Sequence, residues 1–79
     1  MNSTHHQNLI DSLNRYAEDR IETGSFLRAV LENDLASSIG RADHESLGLL
    51  PDLVSYVYNN LPSDCWGSAA KVEIWLTKN

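Results

Sequence analysis

Leu9, Ile10, Leu13, Tyr16 and Ala17 recur at steps of three and four, with Asp11, Asn14, Arg15 and Glu18 on the other side. This pattern predicts an amphipathic helix over residues 7 to 21. Residues 1 to 6 are polar and are expected to form a flexible tail. Glu22-Thr23-Gly24-Ser25 interrupts the pattern: Gly24 accepts dihedrals that other residues avoid, and Thr23 or Ser25 can cap the next helix. That second helix is expected over 25 to 39, with Phe26, Leu27, Val30, Leu31, Leu35 and Ile39 on one broad face and Gly40 as its stop. Asp43 can cap a third helix, in which Leu47, Leu50, Val54, Val57 and Leu61 make a narrow packing seam. Pro51 either kinks that helix or opens a fresh one after a short 44 to 49 segment. Pro62 ends it, Ser63-Asp64 starts a tight turn, and Ser68 caps a last helix over 69 to 77 that turns Val72, Trp75 and Leu76 inward. No strand-like alternation of useful length and no internal repeat is visible. Four helices on short links predict an all-α bundle, a single domain over 7 to 79.

Size changes this picture in one respect. A chain of 79 residues buries only about 60 to 65% of its unfolded surface, so its core is thin. The single cysteine excludes an internal disulfide framework, which raises the odds that further apolar area is buried in a homo-oligomer. A formal net charge of −5 works against non-specific binding to DNA or RNA, because neutralising phosphates needs clustered Lys and Arg and the six present are scattered. An acidic protein can instead suit a basic groove on another protein. No apolar run approaches the roughly 20 residues of a membrane span, and the N-terminus lacks a charged-then-apolar signal pattern, so the expected location is a cytoplasm.

Catalytic signatures are weak. Cys65 and His44 are both present, as are Ser, His and Asp, yet no nucleophile elbow or comparable local motif accompanies them, and Cys65 reads as a structural thiol beside Trp66. The stretch "ETGSF" has one glycine and no lysine, which is no phosphate loop, and the three histidines lack metal-ligand spacing. No metal, no cofactor and no enzymatic activity are expected.

The polar residues of 33 to 46 hold more interest. Asn33 and Asp34 fall inside an apolar helical pattern that they do not favour. Arg41, Asp43, His44 and Glu45 then gather where one helix ends and another begins. On a structural reading, Asp43 caps, Glu45 suits a helix N-terminus, and Arg41 pairs with a carboxylate such as Asp34. On a binding reading, Arg41 and the amides of 44 to 46 hold an anion while Asn33, Asp34 and Asp43 contact polar edges of a ligand. Tyr56 and Tyr58 lie on different sides of the third helix, so one can serve the core while the other stacks on a flat ligand or fills a subunit contact.

The stretches "TGSFLRAVLENDL", "GRADH", "VSYVYNNLPSDCWGS" and "KVEIWL" resemble a family of small helical proteins encoded by bacteriophages and prophages. The resemblance runs from about residue 16 to residue 76, roughly three quarters of the chain, and carries no catalytic residues with it. It implies a phage accessory protein that acts by stoichiometric binding in the infected cell. One expected function is to counter host antiviral defence by sequestering a nucleotide-type signal between subunits, with Asn33, Asp34, Arg41, Asp43, His44, Tyr56 and Tyr58 as ligand contacts. The alternative is an inhibitor that binds and blocks a host defence or regulatory protein.

Overall fold

The computed structural model describes residues 3–77. Among them the chain forms five α-helices and one 3₁₀ turn, with no strand. These are α1 (Ser3–Asp19), α2 (Ser25–Leu31), α3 (Leu35–Arg41), α4 (His44–Asn60), the 3₁₀ turn Ser63–Cys65 and α5 (Ala69–Thr77). The fold is all-α, as the periodicity predicts, with one helix more than expected.

The extra helix comes from a break at the stretch that is anomalous in sequence. The second helix stops at Leu31 rather than running to Ile39. Asn33 takes a left-handed conformation, φ 62°, which Asn tolerates better than most residues. Its N–H donates to the Val30 carbonyl at 3.1 Å and the Asp34 N–H to the Ala29 carbonyl at 2.9 Å, a Schellman closure that satisfies carbonyls at the end of α2. Asp34 then caps α3, its Oδ1 accepting from the Ser37 N–H at 3.2 Å. Amide and carboxylate therefore make a corner between two seven-residue helices. The turn rotates α3 off the face shared by Leu27, Val30 and Leu31, so Leu35 and Ile39, expected in the core, are exposed. Gly40 is not the stop it was expected to be, because α3 continues through Arg41.

Other boundaries follow from local contacts. Residues 3 to 6 are helical instead of a loose tail, while residues 1 and 2 lie outside the described residues. His5 gives the helix a reason to begin early, since its Nε2 lies 2.9 Å from Ser46 Oγ on α4. Helix α1 ends at Asp19, two residues before the expected limit. Asp43 caps α4 as predicted, accepting from the Ser46 N–H at 2.7 Å. Pro51 stands inside α4 without dividing it. Pro51 and Leu47 are both exposed, so the carbonyl that loses its donor belongs to a solvent-facing turn. Ser68 caps α5 through its Oγ, which accepts from the Lys71 N–H at 3.2 Å.

The core comprises Ile10, Leu13 and Tyr16 of α1, Leu27, Val30 and Leu31 of α2, Leu50, Leu53, Val57 and Leu61 around α4, Cys65, and Val72 of α5. The seam of α4 is shifted from the expected one. Leu53 is fully buried while Leu47 and Val54 face outward, because α4 packs on both α1 and α2 with the side that carries residues 50, 53 and 57. Polar ties lock the α1–α5 side. Tyr16 Oη donates to the Cys65 carbonyl at 2.7 Å, Trp75 Nε1 to the Tyr16 carbonyl at 2.9 Å, and Arg20 lies 3.8 Å over the Trp75 ring. Arg28 joins α2 to α5, meeting Glu32 and Glu73 at 2.9 Å and Glu22 at 3.0 Å. The Cα radius of gyration, 11.6 Å, is what a compact chain of this length has by itself, about 12 Å.

Candidate functional site

The turn at Asn33 has a second consequence. By swinging α3 away from the face of α2, it opens a hollow of about 180 Å³ between α2, α3 and α4. Val30, Leu35, Val54 and Val57 supply most of its apolar wall, Trp66 contributes an indole, and Asn33, Asp34 and Ser38 are its polar members. Ser38 is buried and commits its hydroxyl to the Leu35 carbonyl at 2.8 Å, so it offers the hollow no free donor. Trp66 is placed by the 3₁₀ turn and by Gly67, whose N–H donates to the Leu31 carbonyl at 2.7 Å with φ 119°, a conformation suited to glycine. Trp66 Nε1 is buried with no acceptor among the described residues. Tyr58 meets the Trp66 ring edge-on, centroids 5.9 Å apart, and is 72% exposed.

Apolar surface continues beyond the hollow along both helices. On α3, Ile39 follows Leu35 by one turn. On α4, Leu47, Pro51, Val54 and Tyr58 share one side of the helix, a stripe about 16 Å long at 1.5 Å per residue. Leu35 is 58% exposed, Ile39 47% and Val54 44%. Single exposed apolar residues are ordinary, but a run lining a concavity is the usual mark of a binding surface.

Of the seven residues expected at a ligand site, the structure brings only Asn33 and Asp34 into the hollow. Arg41 is exposed at the end of α3 and makes no ion pair among the described residues. Asp43 is engaged as a cap and His44 is an exposed first residue of α4. Tyr56 is half-buried and donates to Asn14 Oδ1 at 2.7 Å, so its ring braces α4 on α1. Tyr58 reaches the hollow indirectly, through Trp66. The helical period assigns Leu35 and Val54 to core faces; no signal in it distinguishes a core position from an apolar position left uncovered.

Electrostatics around these groups is structural in origin. The Ser37 hydroxyl dipole, followed by its backbone N–H, holds the Asp34 carboxyl below the ordinary 3.8. The Ser46 backbone N–H, followed by its hydroxyl, does the same for Asp43. Burial pushes the Cys65 thiol up, away from the reactive thiolate. Burial likewise raises Tyr16, the phenol that donates to the Cys65 carbonyl. The Ser46–His5 pair has the look of a nucleophile and base, but neither residue lines the hollow and Ser46 is buried in the first turn of α4. Among the described residues no group of three or more His, Cys, Asp or Glu could hold a metal ion, and no helix is long and apolar enough to cross a membrane. Comparison of the chain with protein-family models, with curated proteins and with solved structures finds no match.

Proposed function

We propose that this chain is a non-catalytic binding protein of the phage-accessory kind, acting in the infected cell by docking a host protein on the hollow between α3 and α4. The resemblance of residues 16 to 76 supplies the setting, and the hollow supplies the surface. The observation that carries the reading is the lining: five of its eight residues are Val30, Leu35, Val54, Val57 and Trp66, and none is a cation.

Volume and charge favour a side chain over a nucleotide as the occupant. Small-molecule sites typically enclose 300 to 1,000 Å³, whereas about 180 Å³ accommodates one or two side chains of a docking partner. A nucleotide's phosphates need a positive partner, yet the polar rim contributes the Asp34 carboxylate and leaves Arg41 outside the lining. Sequestration of a nucleotide signal therefore has less support than blockade of a host defence or regulatory protein.

The test combines reconstitution with a ligand screen. A host protein captured from bacterial extract, then purified, is expected to form a stable complex with the chain that Val54→Asp abolishes without loss of helicity. Cyclic and ADP-ribose-type nucleotides are expected to leave Tm unchanged, because only a ligand bound by the native state raises it. A nucleotide that raises Tm in the wild type but not in Arg41→Ala would replace this reading with sequestration.

A further inference from the structure

The charge of the chain is concentrated in the segment that carries the apolar surface. Residues 33 to 66, which include α3, α4 and the 3₁₀ turn, hold five carboxylates, Asp34, Asp43, Glu45, Asp52 and Asp64, against one permanent cation, Arg41. That segment accounts for −4 of the formal −5. Asp34 lines the hollow and Asp64 precedes Trp66 by two residues. Among these groups Arg41 has no ion pair, and none of the five carboxylates is neutralised by a salt bridge among the described residues.

We infer that the occupant of this surface is a cationic amphipathic segment of another protein, one that seats an apolar side chain in the hollow while its Lys and Arg residues face Asp34 and Asp64. The inference rests on the protein-docking reading above and specifies the partner's chemistry. The hollow is flanked by the α4 stripe of Leu47, Pro51, Val54 and Tyr58, about 16 Å long, which suits a partner helix presenting apolar residues every three or four positions. A second copy of this chain fits less well. Pairing the same face of two copies brings the Asp34 carboxylates lining the two hollows to one interface with no cation in either lining, and like charge at an interface is costly and slows encounter. A cationic partner gains from the same field, which reaches about 10 Å at moderate salt.

A display selection on the purified full chain tests this, using random peptides about 15 residues long, enough for a helix spanning the stripe. Selected peptides are expected to carry net positive charge with apolar residues at helical spacing. Their affinity should fall roughly tenfold or more between about 0.05 and 0.5 M salt. Asp34→Asn with Asp64→Asn should weaken binding severalfold while the fold persists, since Asn also caps helices. Val54→Asp should abolish it. Neutral or acidic selected peptides, or affinity indifferent to salt, would overturn the inferred partner chemistry and leave the docking reading standing. Binding unaffected by Val54→Asp would remove the docking reading itself. A concentration-dependent dimer dispersed by Val54→Asp, with no peptide selected, would make a second copy the occupant and overturn the inference.

Discussion

Trp75 and Trp66 are both partly buried against one core, yet their surroundings differ in kind. Trp75 is tied on every side: its Nε1 donates to the Tyr16 carbonyl, Arg20 covers its face, and the Arg20 guanidinium also donates to its carbonyl at 3.2 Å. Trp66 has a buried Nε1 without an acceptor among the described residues, an exposed tyrosine at its edge, and an apolar hollow beside it. A buried donor left unpaired costs about 1 to 3 kcal/mol. The α1–α5 side thus closes around Trp75, with Ile21 and Ile74 left exposed, and the α3–α4 side leaves a run of apolar residues uncovered beside Trp66. The contrast teaches that in a small helical domain apolar area is left uncovered where packing stops short, which here is not where charged residues cluster in the sequence.

Neighbouring residues on α4 offer the largest test of that contrast. Leu53→Ala removes a fully buried side chain and should cost about 2 to 5 kcal/mol. In a domain of this size that corresponds to a fall in Tm of at least about 10 °C. Val54→Ala, one residue along and 44% exposed, should change stability by about 0.5 kcal/mol or less. Thermal denaturation followed by circular dichroism compares them directly. Equal losses would mean that the hollow is part of the core.

A smaller effect is expected at the corner that creates the hollow. Asn33 has φ 62°, so Asn33→Gly should be tolerated or mildly stabilising, whereas Asn33→Val should lose about 1 to 2 kcal/mol through its β-branched side chain. If Asn33 instead served only as a ligand contact, the two variants would have similar Tm.

The smallest effect is a pH dependence on the α3–α4 side. Asp34 and Asp43 have folded-state values below the ordinary 3.8, so their capping stabilises the fold fully above that value. The contribution is lost as pH falls through the folded values. Tm should therefore hold from neutral pH down to about 5 and then fall in acid, and Asp34→Asn with Asp43→Asn should flatten that acid limb. An acid limb unchanged in the double variant would show that the caps are not coupled to folding.

Much of the fold was legible in the residues. The apolar face of α1, the Asp43 and Ser68 caps, the stop at Pro62 and the inward face of α5 all follow from local propensity and the 3.6-residue period. The hollow was less so. Asn33 and Asp34 stood out because they oppose a helix, and that signal was sound, but it marked a turn before it marked a hollow.

What the chain's order of residues determined alone is an all-helical fold with the starts of α2, α4 and α5 and the stop before Pro62 in place, because capping and periodicity act over distances of a few residues. Which apolar residues are covered was decided by tertiary structure. The direction α3 takes after Asn33, and the side of α4 that meets α1 and α2, depend on how whole helices pack. That choice leaves Leu35 and Val54 exposed at the hollow that Trp66 also lines, and Leu53, next to Val54 in the chain, sealed within.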